Sequence, residues 1–268
     1  MAEANLPMYD LPELRSATDA WWQGLARSFR KAGLAEVPDR LNRDATMPDL
    51  WRDPALLFSQ TCGYPLVHAF KGVLQPVATP AYGAEGCAGA SYRSALVVRA
   101  DEAASELGAL RGRRCAVNSR TSHSGFNALR HVVAQLGSGQ GFFSEVVMTG
   151  EHKASLEAVA DGRADIAAID CVTYALYRRL VPALAGHLRV LAWTDPAPGL
   201  PYVTRASAGS EIVARLREGL MDALAASDLA PTREALLLTG AEVLPMATYD
   251  RVLAMERAAV ASGCADLA

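Results

Sequence analysis

The feature that most constrains the fold is an alternation of apolar runs and amphipathic segments in the middle of the chain. Residues 113–117, 144–149 and 164–169 are short apolar runs of the kind found in buried strands. Residues 126–136 repeat their apolar side chains at helical spacing, and residues 155–161 form a shorter helical pattern. This order predicts a β-α-β-α-β unit, whose right-handed crossovers place the ends of parallel strands at one edge of a sheet.

The loops at this predicted edge carry polar residues suited to an anion. Ser122 and Ser124 lie just before the first helix, where they can accept hydrogen bonds from the N–H groups of its first turn. The same N–H groups and the positive end of the helix dipole also suit a bound oxyanion. His152 lies in the second loop and His123 in the first, and either histidine could donate to an anion or transfer a proton. Two helix N-termini are therefore expected to converge, with simple capping as the alternative for the serines.

Composition excludes several classes of protein. The chain has 268 residues and a formal net charge of -3, which argues against nucleic-acid binding. Its five cysteines are scattered without a Cys-x-x-Cys pair, so no metal site is predicted, and Cys62 with Cys87 is a candidate disulfide. The glycine-rich run at residues 137–141 follows a helix and lacks dinucleotide-loop spacing, so it is predicted to be a turn, and no cofactor is expected.

The N-terminus has neither the basic nor the apolar segment of a signal peptide, and no stretch approaches the roughly twenty apolar residues of a membrane span. Taken as written, the chain is predicted to be cytoplasmic with no membrane span. An exported protein without its leader would have the same sequence pattern.

Two further strands bracket the central unit, at residues 91–99 and 187–193. This is the pattern expected when one lobe is inserted into another by two chain crossings. We therefore predict an outer lobe of residues 1–93 and 190–268 and a central lobe of residues 94–189. The expected fold class is α/β, with a mostly parallel sheet flanked by helices in each lobe.

The chain contains four segments with a recognisable pattern: SRTSHSG at residues 119–125, TGEHKAS at 149–155, AVADGRADIAAID at 158–170 and YRS at 92–94. These segments resemble the substrate-binding proteins of phosphate and phosphonate ABC transporters. The resemblance is most specific over residues 92–202. It implies a two-lobed periplasmic-binding-protein-like fold of the second type, with the ligand in a cleft between lobes.

The resemblance also implies site residues. Ser122, Ser124 and His152 match the positions that bind the oxyanion, and His123 stands where relatives often have another hydroxyl. Thr121 adds a hydroxyl in the same loop, and four further residues match positions that line the cleft in relatives, namely Tyr9, Tyr64, Tyr92 and Asp170. The predicted ligand contacts are therefore Thr121, Ser122, His123, Ser124, His152, Tyr9, Tyr64, Tyr92 and Asp170.

Some of these positions have alternative roles. Asp170 could instead cap a helix, and Tyr64 could be a packed turn residue. Asp195 is a further candidate for the cleft. Arg120 and Lys153 could steer the ligand or be solvated charges.

The predicted function is binding of a small phosphorus oxyanion, namely phosphate, phosphite or an alkylphosphonate, with an ABC-transporter permease as a further partner. That role would make the protein periplasmic. The alternative is an enzyme on a similar fold, resembling menaquinone-pathway dehydratases or thiamine-pyrimidine synthesis proteins, with His152 and Asp170 as acid and base. An interaction module with an empty cleft is the third hypothesis. We favour the first because the chain offers two anion loops and no activated nucleophile.

Overall fold

The computed structural model describes residues 2–137 and 141–268. Residues 138–140 of the predicted glycine-rich turn lie outside the described residues. The strands are β1 Glu3–Ala4, β2 Leu56–Gln60, β3 Leu74–Tyr82, β4 Ser91–Tyr92, β5 Ser94–Arg99, β6 Arg114–Val117, β7 Glu145–Met148, β8 Ile166–Asp170, β9 Leu188–Trp193, β10 Ala197–Pro198, β11 Tyr202–Arg205 and β12 Leu238–Glu242.

The helices are α1 Arg15–Lys31, α2 Met47–Arg52, α3 Gly63–Val67, α4 Ala128–Gln135, α5 His152–Ala160, α6 Cys171–Leu180, α7 Pro182–Ala185, α8 Ser210–Ala225, α9 Ala230–Ala235 and α10 Asp250–Ala261. Within the described part of the chain, no helix has both the length and the apolar character needed to cross a membrane.

The chain divides into two compact units. Unit 1 comprises Met1–Gly83 and Gly199–Thr248, and unit 2 comprises Ala84–Pro198 and Tyr249–Ala268. The predicted lobe boundaries stay a prediction, but the units differ from the predicted lobes most clearly at the C-terminus, where α10 belongs to unit 2. Its buried face packs against α4. The amphipathic pattern of α10 indicates that one face is buried, but it does not say which unit covers that face.

Unit 1 is built on a sheet with strand order β1-β2-β11-β3-β12. β1 pairs with β2 in parallel, and the other three neighbouring pairs are antiparallel. The α/β class is confirmed, but this sheet is mixed, which corrects the expectation of a mostly parallel sheet. The reason is that β11, which follows the first segment of unit 2 in the chain, enters between β2 and β3 and runs opposite to both. Strand patterns along the chain do not specify such a long-range insertion.

Helix α1 covers this sheet through an aromatic cluster. Trp22, Phe29 and Phe58 are fully buried and their ring centroids lie 5.1–6.3 Å apart. Helix α8 approaches α1 closely at Gly219, where an added Cβ would lie 2.6 Å from the Phe29 ring. This contact fixes α1 and α8 against each other on the core of unit 1.

Unit 2 is built on a sheet with strand order β7-β6-β8-β5-β9. β6 is parallel to both β7 and β8, whereas β5 is antiparallel to β8 and β9. The predicted β-α-β-α-β unit is therefore confirmed as β6-α4-β7-α5-β8. Because β6 and β7 are parallel neighbours, the loops that follow them leave the sheet at the same edge.

Candidate functional site

The connection from β6 to α4 ends in a π-helical turn, His123–Asn127. The N–H of Asn127 donates to the carbonyl of Ser122 at 3.1 Å, five residues back. Ser122 has an extended backbone (φ -88, ψ 132), and its Oγ accepts from the N–H of Gly125 at 3.0 Å. Ser122 therefore does cap the helix. π-turns are uncommon in proteins and are frequent at functional sites.

The second helix meets this turn directly. Ser124 Oγ lies 2.9 Å from His152 Nε2 and 3.4 Å from Ser122 Oγ. We call these three side chains, Ser122, Ser124 and His152, the serine–histidine cluster. The cluster joins the first turns of the two helices that follow β6 and β7, as the sequence predicts.

Helix α5 begins at His152, three residues earlier than its apolar pattern indicates. Ser155 is already inside the helix, because its N–H donates to the carbonyl of Glu151 at 3.1 Å. Glu151 is the N-cap residue, and its side chain makes no capping hydrogen bond. His152 is thus the first helical residue, at the positive end of the helix dipole.

His152 is neutral near pH 7, since burial lowers the pKa of its imidazole to about 4. Two buried polar atoms, His152 Nδ1 and Asn118 Oδ1, have no hydrogen-bond partner among the described residues. Both residues lie against Gly125, where an added Cβ would be 1.9 Å from Asn118 Oδ1 and 3.3 Å from His152 Cε1. Buried polar atoms ordinarily have a partner, so this cluster retains unused hydrogen-bonding capacity.

His123 contacts Asn127 within the same turn. Its Nδ1 lies 3.1 Å from Asn127 Nδ2, and Asn127 Oδ1 accepts from Arg130 at 2.8 Å. The Arg130 contact makes Nδ2 the donor to His123, so Nδ1 of the imidazole is unprotonated. Burial lowers the pKa of His123 to about 3. Its observed partner is thus Asn127 inside unit 2, and a direct ligand contact by His123 stays a prediction.

The end of β8 lies beside the same turn. Asp170 pairs in register with Ser94, whose hydroxyl donates to the Ser124 carbonyl at 2.9 Å. Asp170 Oδ1 accepts from the N–H groups of Val172 and Thr173 at 2.9 and 3.0 Å, so it caps α6. The ligand contacts predicted from sequence do not include Ser94, Asn118 or Asn127. Of these three residues, Ser94 lies in the YRS segment that carries part of the family resemblance.

The remaining predicted site residues lie outside the cluster. Thr121 is exposed and its hydroxyl lies 2.8 Å from that of Ser119. Tyr92 is buried in unit 2, with its ring 6.1 Å from that of His123. Tyr9 and Tyr64 belong to unit 1. Ligand contact by these residues stays a prediction.

Two of the charged candidates, Asp195 and Arg120, have partners within unit 2. Asp195 accepts from Gln135 at 2.9 Å and lies 3.2 Å from His131 Nε2. The two contacts lower the pKa of the Asp195 carboxyl, and the hydrogen bond from Gln135 has the larger effect. Arg120 forms an ion pair with Asp266. Across residues 2–137 and 141–268, no group of three or more His, Cys, Asp and Glu side chains is placed to hold a metal ion.

Solved structures show which fold the chain has. A binding-protein component of an ABC phosphonate transporter from Pseudomonas aeruginosa matches with a TM-score of 0.75 and 16% identity, over 97% of this chain and 88% of that one. A Xanthomonas citri protein bound to chloride ion matches with a TM-score of 0.73 and 16% identity, over 97% and 98%. PhnD1 from Prochlorococcus marinus, in complex with methylphosphonate, matches with a TM-score of 0.72 and 14% identity, over 96% and 97%. The chain therefore has the α/β fold of periplasmic-binding-protein-like proteins.

Sequence comparison shows the family. No curated protein sequence matches the chain. A family model described as the periplasmic substrate-binding protein of phosphonate ABC transporters matches residues 55–249. This family consists of substrate-binding proteins and not of enzymes, which decides against the acid–base hypothesis for His152 and Asp170. The chain belongs to the family of phosphonate ABC-transporter substrate-binding proteins.

Proposed function

We propose that the chain binds a small phosphorus oxyanion, namely phosphate, phosphite or an alkylphosphonate, at the serine–histidine cluster. The observation that carries the proposal is the 2.9 Å contact between Ser124 Oγ and His152 Nε2, which brings two helix N-termini to one point. Such termini offer N–H groups and a positive partial charge to an anion.

The cluster supplies hydroxyl donors in a defined orientation. A hydroxyl has one hydrogen to donate and two lone pairs to accept with. When His152 carries its proton on Nε2, that N–H donates to Ser124 Oγ and leaves the Ser124 hydrogen for the ligand. Ser122 already accepts from Gly125, so its own hydrogen is also available. The two hydroxyls then donate to an oxyanion from the same turn.

The proposed site works through neutral donors and dipoles. His152 is uncharged near pH 7, and Arg120 is paired with Asp266. Neutral donors held in place by two helix starts stabilise an anion without a buried cation, whose desolvation would be costly. A ligand anion beside His152 would in turn raise the pKa of its imidazole.

Membership of this family supports both the proposed class of ligand, a small phosphorus oxyanion, and the proposed partner, a transporter permease. Its members are the binding proteins of phosphonate transporters, so a small ligand and a transporter permease are the expected partners. One protein of similar fold was solved in complex with methylphosphonate, which agrees with this class of ligand. The predicted cleft between lobes and its closure on the ligand stay predictions.

The proposal is tested by calorimetric titration of the chain with phosphate, phosphite, methylphosphonate and 2-aminoethylphosphonate. Ser124→Ala and His152→Ala should each weaken binding of the preferred oxyanion by about 1–3 kcal/mol, the effect of losing a hydrogen bond to a charged group. Ser144→Ala and His187→Ala are matched controls, because both parent residues are exposed. They should bind like the parent chain. Equal affinity in all four variants would exclude the cluster as the site.

A further inference from the structure

Two cysteines of unit 2 lie in contact. Cys87 Sγ and Cys171 Sγ are 3.3 Å apart, and both are free thiols. Cys62, the partner considered for Cys87 from sequence, belongs to unit 1 and is not in a disulfide. Cys87 belongs to the glycine-rich loop before β4, and Cys171 is the first residue of α6. The two residues are 84 positions apart in the chain, so their contact is set by the fold.

The backbone of the loop holds Cys87 in this position. Gly86 has a φ of +94, and an added Cβ there would lie 2.7 Å from the Trp193 ring and 3.0 Å from Cys171 Cβ. The N–H of Cys87 donates to the carbonyl of Ala84 at 3.0 Å. The loop therefore packs directly against Cys171 and Trp193, and this packing brings the two sulfurs together.

The two thiols differ in access and in acidity. Cys87 is partly exposed, whereas Cys171 is buried. The hydrogen bond with Cys171 lowers the pKa of the Cys87 thiol. The hydrogen bond with Cys87, together with burial, raises the pKa of Cys171. An accessible thiol of lowered pKa beside a buried second thiol is the usual arrangement of an attacking and a resolving cysteine.

We propose that Cys87 and Cys171 form a thiol–disulfide exchange site that reacts with small disulfides such as oxidised glutathione. The Cys87 thiolate attacks one sulfur of the small disulfide, whose S–S bond breaks and releases one thiolate. Cys171 loses its proton and attacks Cys87 Sγ, which releases the second thiolate. One small disulfide is thereby reduced to two thiols, and the protein gains one Cys87–Cys171 disulfide.

The bond would need little rearrangement of unit 2. The sulfurs, which lie 3.3 Å apart, must approach to the roughly 2.05 Å of a disulfide. Cys171 follows Asp170, whose carboxylate caps α6 and whose strand partner Ser94 contacts the serine–histidine cluster. The disulfide would therefore tie the glycine-rich loop to the end of β8, beside the proposed ligand site.

The test is incubation of the full chain with oxidised glutathione, followed by peptide mapping without reduction. The parent chain and Cys62→Ser should both yield a peptide pair linked through Cys87 and Cys171. Cys171→Ser should stop at a glutathione adduct on Cys87, because the resolving thiol is missing. A linkage to any other cysteine, or a Cys62→Ser chain that stays fully reduced, would overturn the proposal.

Thermal unfolding gives an independent measurement that needs no variant. The oxidised chain should have a higher Tm than the same chain in dithiothreitol, since a native-geometry crosslink restricts the unfolded state. A lower Tm after oxidation would show that the bond forms by distorting the fold, which contradicts the proposed geometry.

Discussion

At the scale of single residues, the serine–histidine cluster depends on Gly125, which has no side chain. Gly125 donates its backbone N–H to Ser122 and lies against both Asn118 and His152. The absence of a side chain lets the first turn of one helix approach the first residue of the other. A glycine at this position is thus required by packing, although its φ lies in the ordinary range.

Replacement of Gly125 by alanine should therefore disrupt the cluster. The new Cβ would lie 1.9 Å from Asn118 Oδ1, so the Asn118 side chain must move. We expect a loss of about 1–3 kcal/mol in the free energy of unfolding, as for other overpacked sites, and at least tenfold weaker oxyanion binding. Urea unfolding and calorimetry measure these effects.

Gly240→Ala is the matched control, because an added Cβ there meets no atom within 4 Å. It should leave both quantities nearly unchanged. If Gly125→Ala were as stable and bound as tightly as Gly240→Ala, the close approach of the two helix starts would not matter for the site.

The two buried histidines predict how stability depends on pH. Burial holds the pKa of His123 at about 3 and that of His152 at about 4, whereas an unfolded histidine titrates near 6.5. Between these values the unfolded state binds more protons than the folded state. Stability should therefore be fully present above pH 6.5 and decrease as the pH falls through 6.5 toward 4.

His123→Gln should reduce this dependence. It removes one of the two histidines, so the slope of unfolding free energy against pH between 6.5 and 4 should decrease by about 1.4 kcal/mol per pH unit. Chemical unfolding at a series of pH values gives the slope. An unchanged slope would mean that His123 binds as many protons in the folded chain as in the unfolded chain over this range.

At the scale of helices and strands, α10 is held to the candidate site by a buried arginine. The Arg130 side chain is 6% exposed, and it bonds to Glu256 of α10, to the Ala265 carbonyl and to Asn127. Asn127 in turn orients His123. The C-terminal segment therefore supports the turn that carries Ser122 and Ser124.

Arg130→Met keeps the apolar stem of the side chain but leaves Glu256 and Asn127 without this partner. We expect a loss of about 3 kcal/mol in the free energy of unfolding, as for the breaking of a buried ion pair. Arg163→Met is the matched control, since Arg163 and Asp161 form an exposed pair, and it should cost less than about 1 kcal/mol. Equal costs for the two variants would contradict the structural role of Arg130.

Much of the arrangement of helices and strands could be predicted from sequence, because it follows from the local spacing of apolar residues. The β6-α4-β7-α5-β8 unit follows from apolar periodicity and from the rule for crossovers. The early start of α5 and the π-turn depend on hydrogen bonds that leave no such pattern. The insertion of β11 between β2 and β3 and the Arg130 contacts with the C-terminal segment link residues far apart in sequence. A single sequence does not specify such contacts.

At the scale of the whole molecule, the chain keeps a widely shared fold at low sequence identity. Solved structures at 14–16% identity match nearly its full length. The net charge of -3 gives no long-range attraction for an anion, so the proposed affinity has to come from the local dipoles and donors of unit 2. The proposed function therefore depends on where in the molecule the ligand binds.

That position can be measured directly by nuclear magnetic resonance of the imidazole nitrogens. The resonances of His152 are assigned by comparison with the His152→Ala variant. Methylphosphonate is then added up to the concentration at which calorimetry shows that binding is saturated. We predict that the His152 resonances move and saturate with the ligand, while those of the exposed His187 remain in place. Saturable binding that leaves the His152 resonances unmoved would contradict the assignment of the oxyanion to the serine–histidine cluster.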